Sequence, residues 1–261
     1  MISKPYYQIT LKAVDCRFSL TVNDQFVFQM NVEDGQISTQ IPINHTIVNS
    51  GYTDISVSVN PQFGQKKFAD TSEFVYECHL YDIKNGFTHI ESFGENRTPD
   101  FSEKERPLNA FAHTQKLEVT VPYQLNDAWK SGKDLKEIDD FEEKLRGAYR
   151  EVGQIIKNKQ FEVLRERLSR REENIAKAMY LSPVDSRARL NGLINDFEDG
   201  FTEMELPQQA MVIYSAKDRK ASLRRLTGEP ALSFNKKEPF EQLFLDLEFY
   251  WPVESNKMEV I

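Results

Sequence analysis

The feature that most constrains this chain is a change of hydrophobic period near residue 130. Residues 6–122 alternate apolar and polar side chains with the two-residue period of β-strands, whereas residues 135–197 space apolar side chains three and four apart, as amphipathic helices do. Each pattern needs its own packing layer, and 261 residues suffice to bury two modest cores. We therefore predict an α+β protein of two domains: a β-sandwich over residues 1–122, a linker over 123–133 and a second domain over 134–261.

The predicted strands of the first domain are short and are separated by turn residues. Apolar and polar residues alternate from Tyr7 to Ala13 and again from Cys16 to Val22. The next pair, Asn23-Asp24, tolerates positive φ and predicts a tight hairpin. Frequent short strands without helical segments between them are typical of an antiparallel β-sandwich. Further strands are predicted at residues 26–30, 41–43, 55–59, 74–81 and 117–121.

Residues 82–116 are predicted to form a long connection. Glycine and proline interrupt any regular period there, at Gly86, Gly94, Pro99 and Pro107. The segment also contains four phenylalanines, whereas disordered segments are poor in aromatic residues. Two interpretations stay open: a loop that packs over the edge of the sandwich, or a loop that binds a partner.

The second domain is predicted to begin with a long helix. Asp134, with Glu137 three residues later, forms an acidic variant of the capping box. This pair predicts that the helix begins at residue 135, and the apolar stripe predicts that it ends near Asn158.

Two more helices and a group of strands are predicted to follow. Ser182 and Pro183 have the residue types of a helix N-terminus and predict a third helix after a second one over residues 161–179. The second helix is expected to turn one charged face to solvent, formed by Arg165, Glu166, Arg167, Arg170, Arg171, Glu172 and Glu173. Helices followed by a strand meander predict a curved antiparallel sheet around the first helix. Its strands are predicted at residues 210–215, 222–226, 231–234 and 243–251.

The sequence has no motif that predicts catalysis or metal binding. Cys16 and Cys78 are too few for a thiolate zinc site and lie in predicted strands; buried free thiols are predicted, with a disulfide between them as the alternative. All four histidines lie in the first domain, so the second lacks the side chain whose ordinary pKa is near neutrality. No glycine-rich phosphate loop is present. We therefore predict no catalytic residue, no cofactor and no metal.

The charge balance disfavours nucleic acid as a partner and favours a basic protein. The net charge is −8, with 12 basic against 17 acidic residues in 1–134 and 21 against 24 in 135–261. Neither part shows the clustered basic face that phosphate neutralisation requires. The sequence also lacks a run of about 20 apolar residues, so no membrane partner is predicted. Its first residues lack a secretory signal, so a cytoplasmic location is expected.

Acidic residues gather in two groups in the second domain. The first contains Glu137, Asp139 and Asp140, followed by Glu142 and Glu143. The second contains Asp196, Glu198, Asp199, Glu203 and Glu205, and Phe197, Phe201 and Met204 interleave with it. Both groups permit two interpretations: a solvated surface, or a docking surface for a basic protein. Apolar anchors inside a charged rim favour docking, so Phe201 joins both groups as a predicted partner-binding residue.

The strands and turns of the first domain resemble a known module. The order Val22-Asn23-Asp24, Ile43-Asn44 and Asn49-Ser50-Gly51 is similar to that of the jelly-roll module found beside many glycoside hydrolase domains. This resemblance implies a sandwich whose sugar-binding members use aromatic and polar loop residues. The candidates for such a role are Tyr52, Phe63 and Phe87.

The second domain and the whole chain carry two further resemblances. Helices followed by a strand meander over residues 135–261 resemble the cone-shaped family of nuclear transport factor 2, whose enzymes use a pocket inside the cone; Tyr180 and Tyr214 could serve there. A sandwich followed by such a domain, with acidic bias, resembles bacterial proteins encoded with polymorphic or contact-delivered toxins. That group includes immunity proteins that cover the site of a toxin.

These observations lead to one hypothesis and two alternatives. We expect a non-enzymatic protein that binds a basic protein partner, as an immunity or adaptor protein binds a secreted bacterial toxin or effector. The first alternative is an enzyme or small-ligand receptor with a pocket in the cone. The second is a carbohydrate-binding β-sandwich.

Overall fold

The computed structural model describes residues 2–84, 86–102 and 108–261, and the chain divides into two compact units, Met1–Leu125 and Asn126–Ile261. The division falls inside the segment 123–133 that the sequence suggests as a linker. Leu125 still belongs to the first unit, where its backbone N donates to the Val48 carbonyl (2.9 Å). Lys133 belongs to the second unit, where its N donates to the Trp251 carbonyl (2.8 Å).

The N-terminal unit is a sandwich-like pair of antiparallel sheets, as predicted. Sheet I has the strand order β4-β1-β6-β7 and sheet II the order β3-β2-β5-β8. The strands are β1 (Pro5–Val14), β2 (Arg17–Val22), β3 (Gln25–Asn31), β4 (Gln36–Pro42), β5 (Gly51–Asn60), β6 (Glu73–Asp82), β7 (Thr88–Arg97) and β8 (Phe111–Val119).

Alternating residues of these strands fill an apolar core. Ile9, Leu20 and Val59 are completely buried, and their neighbours along each strand face outward. Cys16 and Cys78 lie in this core as free thiols, which confirms the prediction. Burial raises the pKa of each thiol to about 12, so both thiols are neutral near physiological pH.

The predicted hairpin between β2 and β3 is confirmed. Asn23 and Asp24 both take positive φ, 52° and 59°. Two such residues in succession match the right-handed twist of the flanking strands. The Asn23 side chain also accepts a hydrogen bond from the backbone N of Asp54 (3.0 Å), which ties the turn to β5.

The prediction of a connection over residues 82–116 is wrong, because this segment contains β7 and most of β8. The strand β7 is the edge of sheet I and nearly all its side chains are exposed, so selection for alternating apolar residues is absent. Gly94, predicted to interrupt regular structure, instead takes φ +88° within β7. Pro107 lies outside the described residues.

The C-terminal unit contains three helices followed by antiparallel strands, as predicted. The helices are α1 (Phe141–Lys157), α2 (Phe161–Ala178) and α3 (Pro183–Glu198). The strands are β9 (Glu203–Glu205), β10 (Met211–Ser215), β11 (Lys220–Arg224), β12 (Ser233–Lys236), β13 (Glu241–Phe244), β14 (Phe249–Tyr250) and β15 (Glu259–Val260). They form two sheets, III with the order β10-β11-β14-β15 and IV with the order β13-β12-β9, rather than one.

The predicted start of the first helix is wrong by six residues. Asp134 does cap, but it caps a short 3₁₀ helix, Leu135–Glu137, by accepting from the backbone N of Lys136 (3.1 Å). The α-helix begins only at Phe141, after Asp140 in a left-handed conformation (φ 53°). A capping pattern marks a helical turn and does not fix how far the helix runs.

The remaining helix boundaries match the prediction. The helix α1 ends at Lys157, and the N–H groups of Lys159 and Gln160 bond back to the carbonyls of Ile156 and Ile155. The helix α3 begins with the predicted cap, because Ser182 and Asp185 form a reciprocal capping box. None of the described helices is long and apolar enough to cross a membrane.

The charged face predicted for α2 is only partly solvated. Glu172 is buried between Arg171 and Arg189, and Arg189 Nε donates to Glu172 Oε2 (3.0 Å). Arg167 is also largely covered, 3.6 Å from Glu151 of α1. The alternation of charge along α2 therefore reflects ion pairs with α1 and α3 as well as contact with water.

Candidate partner-binding surface

The first predicted acidic group surrounds the start of α1. We call Glu137, Asp139 and Asp140 the α1 cluster; all three are exposed. Among the described residues none of the three carboxylates forms an ion pair. Asp140 is the residue before the helix, yet its side chain makes no capping hydrogen bond. These carboxylates lie near the positive end of a helix, which stabilises their charge.

One surface depression adjoins the α1 cluster, and a second adjoins the first. The first, of about 470 Å³, is bordered by Asp140, Phe141 and Tyr214 among others. The second, of about 550 Å³, is bordered by Met204 and Leu206 of the β9 segment. Both depressions include Glu143 and Arg146, so they continue into one another along α1.

Arg146 holds the wall of these depressions in place. Its guanidinium is buried and donates to the backbone carbonyls of Pro207, Gln208 and Ala210 at 2.8–3.0 Å. It also pairs with Glu142 of the preceding turn at 2.9 Å. The sequence gives no sign of this role, since the partners of Arg146 lie some sixty residues away and only the tertiary fold brings them together.

Neither Tyr214 nor Lys136 belongs to the predicted set of partner-binding residues. The Lys136 ammonium lies 5.3 Å from the Tyr214 ring centroid and 3.0 Å from Asp218. Hydrogen bonding to Asp218 raises the pKa of Lys136, and partial burial raises the pKa of Tyr214. The Tyr214 ring is therefore already in contact with a cation that the chain itself supplies.

The second predicted acidic group divides into two parts. Asp196, Glu198 and Asp199, which we call the α3 cluster, lie at the C-terminal end of α3. The last turn of this helix has no basic residue, and within the described parts of the chain these three carboxylates form no ion pair. Carboxylates at a helix C-terminus face the negative end of the helix dipole, which costs about 0.3–1 kcal/mol each.

Glu203 and Glu205, unlike the α3 cluster, each pair with a basic side chain of the same unit. Glu203 pairs with Lys237 at 2.6 Å. Glu205 pairs with Arg225 at 3.2 Å and accepts from Gln242 at 3.3 Å. These contacts link β9 to the residues that follow β11 and β12 and to β13, so each of the two carboxylates has a basic partner within the unit.

The predicted apolar anchors of the second group face inward. Phe197 is completely buried against Phe234, with ring centroids 5.0 Å apart. Phe201 and Met204 pack against the same core, and Met204 lies over Gly153 of α1, where a larger residue would collide with it. Phe197 is therefore not an exposed anchor, whereas Phe201 and Met204 are half-buried, and the assignment of Phe201 as a partner-binding residue stays a prediction.

The aromatic candidates for sugar binding are exposed, but they lie on different parts of the N-terminal unit. Tyr52 is on sheet II and 74% exposed, whereas Phe87 lies beside sheet I and is 63% exposed. Phe63 follows β5, and the Arg17 guanidinium lies 4.4 Å from its ring centroid. Separate rings of this kind do not form one platform, and the carbohydrate alternative stays a prediction.

The interior of the C-terminal unit is filled by side chains. Tyr149 and Phe249 meet there with ring centroids 5.0 Å apart, and the Tyr149 hydroxyl bonds to the backbone of Leu223 and Leu247. Of the two tyrosines suggested for a cone pocket, Tyr214 lines the surface depression on α1 and Tyr180 follows the end of α2. The cone-pocket alternative also stays a prediction.

Metal ligands and relatives give no further guide to function. Within residues 2–84, 86–102 and 108–261 no three His, Cys, Asp or Glu side chains are grouped to hold a metal ion. Comparison of the chain with known protein families, curated proteins and solved structures finds no match.

Proposed function

We propose that the protein is a non-enzymatic binding protein whose C-terminal unit docks a basic protein partner. The observation that carries this proposal is the α3 cluster. Its three carboxylates lie where the helix dipole opposes them and where the described structure supplies no basic side chain to pair with them. Because they do not stabilise the fold, their presence is better explained by a cationic surface outside the chain.

The α1 cluster supports the same proposal in a weaker way. Its carboxylates are also exposed and unpaired, and they border a depression with an aromatic wall at Phe141 and Tyr214. A lysine or arginine of a partner could contact these carboxylates at the edge of the depression. The helix dipole alone would favour acidic residues here, so this cluster extends the proposed surface without carrying it.

The narrower form of the proposal concerns the kind of partner. We propose an immunity or adaptor role toward a bacterial secreted toxin or effector, exercised in the cytoplasm. It rests on the resemblance in domain organisation and on acidic bias. An acidic protein that covers a basic surface is steered to it by long-range attraction, and association then slows as salt rises.

The test is capture of partners from the native cytoplasm by the tagged protein at low and at high salt, read by mass spectrometry. We expect one basic protein in stoichiometric amount, with weaker capture at high salt. The variant Asp196→Asn/Glu198→Gln/Asp199→Asn should then lower the association rate with that partner about tenfold, since rim charges act mainly on association.

A matched control changes the same number of charges in the other unit. Asp34, Asp70 and Glu118 are exposed residues of the N-terminal unit. The variant Asp34→Asn/Asp70→Asn/Glu118→Gln should alter the association rate less than twofold. Equal loss in both triple variants would mean that only net charge matters, and capture of no partner in cells that express the neighbouring genes would contradict the proposal.

A further inference from the structure

On the outer face of sheet I, two imidazole rings converge on one hydroxyl. His79 Nδ1 and His89 Nε2 each lie 2.9 Å from Ser92 Oγ. The second nitrogen of His79, Nε2, lies 3.7 Å from the Glu77 carboxylate. The four residues come from β6 and β7 of the N-terminal unit, so any activity of theirs is independent of the docking surface proposed on the C-terminal unit.

Two irregularities of β7 create this convergence. Between the pairs Glu77↔Glu95 and His79↔Ser92, two residues of β6 face three of β7. Between the pairs Leu80↔Glu91 and Tyr81↔His89, β6 advances by one residue while β7 advances by two. A regular strand would turn His89 and Ser92, three residues apart, to opposite faces. The bulges bring both side chains to the face of His79, as bulges beside functional sites often do.

The hydrogen bonds assign different roles to the two histidines. A serine hydroxyl has one proton to donate, so only one imidazole nitrogen can accept it and the other must donate. His79 suits acceptance at Nδ1, because its Nε2–H then faces the Glu77 carboxylate, which would stabilise the imidazolium. His89 then donates from Nε2 to Ser92 Oγ and supports the oxygen as its proton leaves.

An exposed aromatic ring is joined to this site through Tyr81. Phe87 is 63% exposed and is held edge-on by Tyr6, with ring centroids 5.2 Å apart. Tyr81 contacts both Phe87 (5.6 Å) and His89 (5.5 Å). An aryl or acyl group can therefore pack on a ring whose position is fixed, within the same patch as the serine.

We propose that Ser92 is an acylation site, a serine that takes an acyl group from an activated ester with His79 as its base. Ser92 Oγ bonds to the ester carbonyl carbon while its proton passes to His79 Nδ1. The bond from that carbon to the leaving oxygen then breaks, and the leaving oxygen takes the proton from His79. The products are acyl-Ser92 and the free alcohol, and no other reagent is consumed.

The test uses p-nitrophenyl acetate on the full chain and locates acetyl groups by peptide mass mapping. Ser56 is an internal control: it lies on β5 of the same unit, is bonded to the Thr114 hydroxyl (2.9 Å) and has no imidazole partner. A positioned base contributes about 10²–10⁴ in rate, so Ser92 should be acetylated at least a hundredfold faster than Ser56. Equal rates at the two serines would overturn the proposal.

Three variants separate the base from the scaffold. Ser92→Ala should remove the fast acetylation, and His79→Gln should slow it at Ser92 about a hundredfold. His113→Gln removes an imidazole that is bonded to the Tyr76 hydroxyl instead of Ser92, and it should change the rate less than threefold. Near-ultraviolet circular dichroism confirms folding of each variant, and an unchanged rate in a folded His79→Gln protein would also overturn the proposal.

Discussion

The interiors of the two units differ in the polar groups that they bury. In the described part of the N-terminal unit these are neutral side chains: Gln25, Asn44, Thr46, Thr53, Ser72 and Thr98. In the C-terminal unit they include four charged residues, Arg146, Glu172, Lys220 and Arg224, each with an ion-pair partner. The N-terminal unit therefore depends mainly on apolar burial, whereas the C-terminal unit also depends on keeping its charges paired.

The architecture explains this difference. The side chains of a sandwich strand point alternately to the core and to solvent, so charged residues face outward and the polar side chains that are buried are neutral ones. Helices packed on two small sheets leave long side chains at the junctions between elements. There each charge loses water and must be compensated by a partner, as Arg224 is by Asp246 at 2.6 Å.

The largest expected effect is at the buried carboxylate of α2. Glu172→Ala leaves the covered guanidinium of Arg171 and the neighbouring Arg189 without their shared partner. Breaking a buried pair from one side costs about 3–5 kcal/mol of unfolding free energy. Both tryptophans lie in the C-terminal unit, so urea unfolding followed by tryptophan fluorescence measures this unit.

The neighbouring residue gives the matched control. Glu173 is exposed and pairs with Lys177 at 2.7 Å, and Glu173→Ala should cost about 0.3–0.5 kcal/mol. If both variants lost the same unfolding free energy, the buried ion pair of Glu172 would stabilise the C-terminal unit no more than an exposed one does.

The N-terminal unit should respond instead to alkaline pH. Burial raises the pKa of Cys16 and Cys78 from 9.0 to about 12 in the folded state. Stability from the neutral thiols is fully present below pH 9 and falls as pH rises from 9 toward 12, because only the unfolded chain ionises there. Each thiol should contribute a loss of about 1.4 kcal/mol per pH unit in that range.

Unfolding at pH 8 and pH 10, followed by far-ultraviolet circular dichroism, measures this loss. Cys78→Ala should remove about half of the thiol-dependent difference between the two pH values. A difference that does not change in this variant would show that the thiols are not the titrating groups.

The smallest expected effect is also in the C-terminal unit, but it concerns backbone strain instead of charge pairing. Lys159 ends the α1 Schellman motif with φ 54°, a conformation in which glycine has no steric penalty. Lys159→Gly should raise the unfolding free energy by about 0.5–1 kcal/mol. Lys157→Gly, two residues earlier and inside the helix, should lower it by about the same amount. Loss of stability in both variants would mean that the strain is absent.

Local patterns could predict those parts of the fold where one residue type acts alone. Asn23-Asp24 predicts its hairpin because both residues tolerate positive φ, and Ser182-Pro183 predicts the start of α3 because cap and first-turn preferences are local. The edge strand β7 could not be predicted this way, since neither of its faces is buried enough to require apolar residues.

The candidate surface shows the same limit. Sequence identified the acidic residues, but it could not tell Asp196 from Glu205, because pairing depends on partners distant in the chain. Arg225 pairs with Glu205 and Gln242 donates a hydrogen bond to it, while the described fold brings no cation to Asp196. The sequence thus identifies the acidic residues, but it does not show which of them are unpaired and can contact a partner.

By itself the sequence determined the α+β class, the succession of strands and helices, and the places where acidic residues gather, since each depends on period and composition over a few residues. The tertiary structure alone decided which charges are free, which are buried, and that His79, His89 and Ser92 meet. Those outcomes depend on strand register and on contacts between distant segments, where one extra residue in a strand turns a side chain to the other face.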